Sequence, residues 1–245
     1  MNLKSIICID EFLGLGVEKM KRSEINAILR ENIAFIKEMH FSLPPFAYWT
    51  PEEWKEKGHE CDEIRDNMLG WDITDYGLGN YEKVGLFLFT IRNGNLNNPK
   101  YRKPYAEKLL ISNPGQLCTN HFHWNKMEDI INRGGGNLMI QVWNSDENEG
   151  LADTPVQITL DGVVSVVEAG TILRLLPGQS ITLPPHQYHA FWAEEGHGKT
   201  LIGEVSMVND DNTDNRFYEP MGRFPKIEED EAPLYLLCNE YPAAK

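Results

Sequence analysis

Hydrophobic positions near the beginning of the chain follow a helical period. Between Ser23 and about Met39, apolar side chains recur every three or four residues, at Ile25, Ile28, Leu29, Ile33 and Ile36. This spacing places them on one face of an α-helix, and Ser23 is a suitable N-cap. The pattern therefore predicts an amphipathic helix that packs one face.

A second, shorter helix is predicted at Thr50-Pro51-Glu52-Glu53. Proline suits the first helical position, and a threonine followed three residues later by a glutamate is typical of a capping box. We expect this helix to end near Gly58. Residues 1 to about 80 are thus predicted to form a helical N-terminal extension.

Beyond Val84 the apolar runs become short and rich in β-branched and aromatic residues, which predicts strands. Such runs begin near Val84 and recur at 138–143, 156–160, 163–167, 171–175, 189–192 and 200–205. Asp161-Gly162, between two of them, is typical of a two-residue hairpin turn. Many short strands with tight turns indicate a β-sandwich or barrel.

Composition narrows the classes of partner. A chain of 245 residues can bury the core of one domain, and its net charge of −14 disfavours binding to nucleic acid. No apolar run approaches the roughly 20 residues needed to span a bilayer, so we expect no membrane partner. The four cysteines, Cys8, Cys61, Cys118 and Cys238, are widely spaced without a CxxC pair, which predicts free thiols and a cytoplasmic protein.

Candidate metal ligands occur in two separate segments. In a strand, His121 and His123 would lie on the same face about 7 Å apart, where both imidazoles can bind one ion. Glu128 lies an odd number of residues after them, which would place it on the other face of a straight strand. The chain must therefore bend before Glu128 for its carboxylate to reach the same ion. His189 follows the turn signal Leu183-Pro184-Pro185. Three imidazoles and one carboxylate suit Mn, Fe, Co, Ni or Zn.

The spacing of these residues resembles the two cupin motifs. The first motif is matched by Gly115, His121, His123, Glu128 and Gly135, and the second by Gly178, Pro184 and His189. The second motif departs from the pattern at two positions, where His186 replaces a glycine and Ala193 replaces an asparagine. The resemblance implies a single cupin domain over 1–245, whose all-β barrel, a double-stranded β-helix or jelly roll, occupies about 84–225.

Two charged residues near these motifs are candidates for catalysis. Glu204 lies in an otherwise apolar strand, where a carboxylate is costly unless it is paired or functional, so it is either a general base or a structural ion-pair partner. Lys126 lies between His123 and Glu128 and is either a cation that stabilises an enolate oxygen or a solvated turn residue. His186 is either a substrate contact or an exposed turn residue.

Three segments carry a narrower resemblance, to the D-lyxose isomerases. They are EVSMVNDDNTDNRF at 204–217, HFHWNKME at 121–128, and the helical stretch from Glu31 to Trp49. The similarity extends from about Ser23 to Tyr218. The resemblance implies a manganese-dependent, homodimeric aldose-ketose isomerase that interconverts D-lyxose with D-xylulose and D-mannose with D-fructose.

The same resemblance implies roles for individual residues. His121, His123, Glu128 and His189 would hold Mn²⁺, with Co²⁺, Fe²⁺, Ni²⁺ or Zn²⁺ as the other candidate metals. Glu204 would move a proton between C1 and C2 through a cis-enediol, and Lys126 would assist at the sugar oxygen. Asp214 and Arg216 would bind the substrate or position the base. His186, from its place in the second motif, is predicted to contact the substrate.

Several alternatives stay open at this stage. A hydride shift competes with proton transfer. An iron dioxygenase or a phosphosugar isomerase would use the same ligands, although the acidity of the chain disfavours a phosphate pocket. A sugar-binding cupin without catalysis is the third alternative.

Overall fold

Most elements of the computed structural model, which describes residues 19–210 and 213–245, are β-strands. The α-helices are α1 (Arg22–Glu38), α2 (Pro51–Trp54) and α3 (Asp62–Asp66). The strands are β1 (Met20–Lys21), β2 (Gly70–Thr74), β3 (Leu86–Arg92), β4 (Tyr105–Ser112), β5 (Cys118–Phe122), β6 (Glu128–Gly135), β7 (Leu138–Ser145), β8 (Leu151–Ala152), β9 (Val156–Leu160), β10 (Val163–Val167), β11 (Thr171–Leu175), β12 (Ser180–Leu183), β13 (Gln187–Ala193), β14 (Thr200–Met207), β15 (Arg216–Phe217) and β16 (Ile227–Glu228). Cys8 lies outside the described residues.

The strands predicted from hydrophobic runs are confirmed, but others carry no clear pattern. Asp161 and Gly162 have φ angles of 48° and 81° and join the antiparallel pair β9 and β10, as expected of a hairpin turn. Strands β2 and β4 were not predicted, because each contains charged residues among its apolar ones. The sheet therefore begins at Gly70, inside the stretch predicted as a helical extension.

The N-cap of helix α1 is Lys21, two residues before the predicted N-cap Ser23. The backbone N–H and hydroxyl of Ser23 instead donate to the carboxylate of Asp230, at 2.9 and 2.6 Å. Arg22 forms an ion pair with Glu229 at 2.6 Å. Acidic groups beside the N-terminus of a helix are favourable because of the helix dipole, so this acidic segment stabilises the start of α1.

Two antiparallel sheets face each other across the main core. One has the strand order β10-β9-β12-β6-β14-β4-β3-β2, and the other has the order β11-β7-β13-β5-β15, with β8 added beside β7. Apolar side chains from both sheets, such as Ile130 and Ile202 from the first and Ile140 and Phe191 from the second, form one buried cluster. This pair of facing sheets is the predicted barrel.

Alternate side chains of β3 lie in two different hydrophobic clusters. Phe87 and Phe89 pack in a cluster with the apolar face of α1, outside the barrel, whereas Leu86 and Leu88 point into the barrel. The same alternation on β4 directs Lys108 inward. Charged residues on inward positions of these strands therefore meet inside the barrel. Among the described residues, no helix is both long and apolar enough to cross a membrane.

Candidate active site

Three histidines converge inside the barrel. His121 on β5 and His189 on β13 are direct cross-strand partners, and His123 follows the end of β5. One ring nitrogen from each lies within 4.8 Å of those of the other two, and all three residues are buried. Strand pairing thus brings together the two histidine segments that are far apart in sequence.

Backbone carbonyls orient all three imidazoles in the same way. The Nδ1 atoms of His121, His123 and His189 lie 2.7, 2.9 and 3.1 Å from the carbonyl oxygens of Thr119, Asp214 and Gln187. Because a carbonyl only accepts, each Nδ1 carries the proton and each Nε2 presents a lone pair. Burial and the neighbouring imidazoles hold the pKa of His121 well below its usual value, which keeps that ring neutral.

Glu128 completes a donor set that fits a divalent transition metal. The chain bends after His123, and Glu128 opens β6 with a carboxylate oxygen 3.3 Å from His123 Nε2 and 3.1 Å from His189 Nε2. Those two buried nitrogens have no hydrogen-bond partner among the described residues. Burial raises the pKa of Glu128, but Lys126 and the adjacent imidazoles outweigh it and bring the pKa well below its usual range. Neutral nitrogens and one ionised carboxylate are suitable ligands.

Beside this set, Glu204 is held by two buried lysines. Lys126 Nζ lies 2.9 Å from Glu204 Oε1 and 2.7 Å from Glu128 Oε2, so it links the base candidate to the metal-ligand candidate. Lys108, directly opposite Glu204 on β4, lies 3.4 Å from the same oxygen. Asn209 Oδ1 accepts from Lys108 and Lys126, at 2.6 and 3.1 Å.

Lys108 and Asn209 were missed in the sequence. A charged residue inside an apolar strand, the feature that marks Glu204, also occurs at Lys108 in Lys108-Leu109-Leu110-Ile111. Lys108 could be recognised in this way only if β4 were predicted as a strand. Asn209 lies in the polar run after Glu204, but nothing in that run distinguishes it from its polar neighbours.

The pocket in front of these groups has apolar and polar walls. Tyr76, Phe191 and Phe217 line it together with Leu86 and Leu88, and Asn215 and Arg223 add polar groups. The ring of Phe217 lies 5.5 Å from that of His121. Cys118 is also at the wall, but its thiol contacts the Tyr76 hydroxyl at 3.1 Å, and burial raises the pKa of Cys118 to about 12. This thiol is therefore protonated and unreactive.

Asp214 supports the site from behind. Its carboxylate accepts from the backbone N–H groups of Asn125 and Lys126, both at 2.9 Å, and its carbonyl accepts from His123. Asp214 therefore fixes the bend between the histidine pair and Glu128.

Arg216 and His186 lie outside this pocket. Arg216 donates to Glu149 at 3.0 Å, on the outer side of β15. His186 is exposed in the turn before β13, with its ring 5.1 Å from that of Phe122. Its φ of 63° is the left-handed conformation that glycine favours, so the turn keeps the shape expected of the motif despite the substitution.

The family model for D-lyxose isomerase matches residues 20–241. The chain belongs to the D-lyxose isomerase family. D-lyxose/D-mannose isomerases of Serratia proteamaculans and Escherichia coli O157:H7 are 49% and 48% identical to it over 223 residues, which cover 91% of this chain and 98% of each relative. A D-lyxose ketol-isomerase of Cohnella laeviribosi is 28% identical over 166 residues, 65% of this chain and 82% of that relative.

Solved structures of sugar isomerases share the fold of this family member. The L-ribose isomerase of Acinetobacter sp. DL28, in complex with L-ribose, superposes with a TM-score of 0.56 at 16% identity and covers 86% of this chain and 98% of that chain. The L-ribose isomerase of Cellulomonas parahominis with L-ribose superposes with a TM-score of 0.55 at 16% identity and covers 87% of this chain and 100% of that chain. The predicted cupin barrel with an N-terminal helical extension is confirmed.

Proposed function

We propose that this protein is a metal-dependent aldose-ketose isomerase that interconverts D-lyxose with D-xylulose and D-mannose with D-fructose. Membership of the D-lyxose isomerase family and the names of its relatives support these substrates. One structural observation carries the proposal. A buried carboxylate, Glu204, shares a pocket with three converging histidines and is held there by two lysines.

His121, His123, Glu128 and His189 are the residues that would hold the metal, and we propose Mn²⁺ as the native ion. When bound, such an ion acts as a Lewis acid that stabilises negative charge on a substrate oxygen. The partnerless Nε2 atoms of His123 and His189 support this assignment, because a buried nitrogen without a partner is costly unless it binds something.

Glu204 supplies the proton transfer. Its carboxylate removes the proton from C2 of the aldose, leaving a cis-enediol, and returns the proton to C1 on the same face, while the hydroxyl proton moves from O2 to O1. One base serves both steps because C1 and C2 are adjacent.

The charges around Glu204 favour an anionic intermediate. Lys108 and Lys126 balance Glu128 and Glu204, so any bound divalent cation leaves the site with a net positive charge. A developing enediolate is stabilised in such a field. We propose that Lys126 acts chiefly by positioning, since its ammonium already contacts Glu204, Glu128 and Asn209 at 2.9, 2.7 and 3.1 Å. Asp214 would also act by positioning, because its carboxylate accepts from the backbone N–H of Lys126.

The first experiment is turnover of D-lyxose and D-mannose after EDTA treatment, with and without added Mn²⁺. Restored production of D-xylulose supports the proposal, and no turnover of either sugar by metal-loaded protein refutes it. The reaction in D₂O then separates the two mechanisms. Proton transfer through Glu204 introduces solvent deuterium into the product, whereas a hydride shift does not.

A matched pair of variants tests the base. Glu204→Gln removes the carboxylate with little change of volume, and we expect kcat to fall by about 10²–10⁴-fold with metal still bound. Glu107→Gln is the control, because Glu107 lies opposite Val205 on the outward side of the same strands, where it pairs with Arg92. It should keep wild-type turnover.

We also propose that the protein forms a homodimer in the cytoplasm. Strand β10 lies at the edge of the large sheet, and Val163, Val164 and Val166 are 68%, 59% and 65% exposed there, which supports pairing with a second copy. Cys61, Cys118 and Cys238 are free thiols, as expected in a reducing compartment.

A further inference from the structure

A second cavity lies next to the metal pocket, on the same inner side of the large sheet. Its walls include Asp72, Thr90, Asn93, Val208, Asn209 and Cys238. Arg223 lines both cavities. Its guanidinium pairs with the carboxylate of Asp72, so this ion pair forms part of the wall between the two spaces.

Two strands run continuously from one cavity to the other. On β3 the alternate residues Leu86 and Leu88 line the metal pocket, and Thr90, next on that face, lines the second cavity. On β2, Thr74 lines the metal pocket and Asp72 lines the second cavity. Two residues along a strand correspond to about 7 Å, the length of a few carbon–carbon bonds. The linings of the two cavities are therefore about one such step apart along β2 and β3, a span comparable to the carbon chain of a sugar.

The second cavity has the chemistry of a hydroxyl site. Asp72 is 1% exposed, and its Oδ1 has no hydrogen-bond partner among the described residues. Thr90 and Asn93 add neutral polar groups, 6% and 5% exposed. Such buried neutral groups suit an uncharged polyol. They disfavour a phosphate, because among the described residues that line the cavity Arg223 is the one positive charge, and Asp72 already pairs with it.

The second cavity also contacts the catalytic groups. Thr90 is the cross-strand partner of Lys108, and Asn93 holds the backbone of Asn209 through two hydrogen bonds of 2.9 and 3.0 Å. Asn209 in turn accepts from Lys108 and Lys126. A group that occupies this cavity therefore lies against the residues that hold Glu204.

We propose that the second cavity is the subsite for the terminal hydroxymethyl group of a hexose, so that it determines whether D-mannose is used beside D-lyxose. The inference rests on the proposed isomerase function. A pentose ends one carbon earlier and leaves this cavity without a sugar group, whereas the sixth carbon of a hexose brings a hydroxyl toward Asp72 and Thr90.

The test fills the cavity and compares two sugars. Cys238 is small and buried, and it lines the second cavity but not the metal pocket, so Cys238→Leu reduces the second cavity from the C-terminal segment. We expect its kcat/KM for D-mannose to fall at least about tenfold, with the value for D-lyxose within about twofold of wild type. Cys238→Ala is the matched control and should keep the wild-type ratio of the two sugars.

A second pair of variants makes the result independent of Cys238. Thr90→Ile fills the cavity from β3 and keeps a β-branched side chain suited to that strand, and Thr90→Val is its control for loss of the hydroxyl. Thermal melting and D-lyxose turnover report whether each variant is folded.

The outcomes distinguish this inference from the proposed function. Filling variants that turn over D-lyxose and keep the wild-type mannose-to-lyxose ratio would overturn the inference, as would a wild-type enzyme that uses D-lyxose but not D-mannose. A metal-loaded wild-type protein that uses neither sugar overturns the proposed function itself.

Discussion

Replacing Lys126 by methionine tests the arrangement that holds Glu204 beside the metal-ligand candidates. The substitution keeps the length of the side chain and removes an ammonium that lies 2.9 Å from Glu204 and 2.7 Å from Glu128. Both carboxylates are buried, with side chains about 5% and 2% exposed. Two negative charges would then remain in the barrel without the cation that links them.

The size of the effect follows from these distances. At an effective dielectric constant of about 20, each contact has a gross attraction of roughly 6 kcal/mol. Desolvation of the charges offsets much of this, and removal of one partner from a buried pair costs about 3–5 kcal/mol in measured cases. For a chain of this size that corresponds to a fall in Tm of roughly 6–20 °C for the metal-free protein.

Turnover should fall more than metal binding. We expect kcat to decrease by about 10²–10³-fold, because Glu204 loses the group that fixes its position and the enediolate loses a nearby positive charge. All four metal-ligand candidates are retained, so the metal content after dialysis against Mn²⁺ should stay near that of the wild type.

Lys55→Met is the control for this experiment. Lys55 also pairs with a glutamate, at 3.3 Å, but both side chains are largely exposed, 65% and 77%, so its Tm and kcat should match the wild type. A Lys126→Met protein with wild-type kcat would refute the reasoning, because Glu204 would then keep its position without Lys126.

Three further predictions follow from other contacts. Asp214→Asn places an amide against the N–H donors of Asn125 and Lys126, so the apparent affinity for Mn²⁺, titrated by metal analysis, should weaken by about 10–100-fold, and unchanged affinity would count against a positioning role. Cys118 should resist iodoacetamide in the folded protein at pH 8, because a pKa raised to about 12 leaves almost no thiolate below that value, and its rapid labelling in mass spectra would contradict this assignment. Val164→Lys should yield monomers in light scattering if β10 forms the dimer interface, whereas an unchanged mass would exclude that interface.

The sequence predicted the histidine cluster because its signal is local. A two-residue spacing puts His121 and His123 on one side of a strand, and the odd offset of Glu128 required a bend, which the structure has between them. The joining of His189 to this pair depends on the cross-strand register of β13 with β5. Spacing alone does not determine that register, and only the resemblance to the cupin motifs indicated it.

The surroundings of Glu204 could not be predicted from spacing. Lys108 reaches Glu204 because β4 pairs with β14, two strands separated by almost a hundred residues. Strand β4 starts with Tyr105-Ala106-Glu107-Lys108, where charges obscure the apolar alternation. Such strands are decided by burial in the folded sheet, which a single window of sequence does not reveal.

The start of helix α1 also depends on residues that are distant in sequence. Ser23 is a good N-cap by residue type, but its backbone N–H and its hydroxyl donate to Asp230, more than two hundred residues away. The N-cap is Lys21, two residues earlier, and its backbone N–H donates to Glu24 at 2.8 Å. Where the capping pair is itself local, as for Thr50 and Glu53 in α2, the prediction is confirmed.

The role of the polar segment after β14 follows from its contacts in the folded protein. Asn209 contacts both lysines beside Glu204, Asp214 fixes the bend that carries Lys126 and accepts from His123, and Phe217 packs near His121. One segment therefore sets the position of the base, the orientation of a metal-ligand candidate and a wall of the pocket. A substitution at Asp214 should therefore change turnover and metal affinity together. A residue that only contacts the far end of the sugar, as we propose for the second cavity, should change the choice of sugar alone.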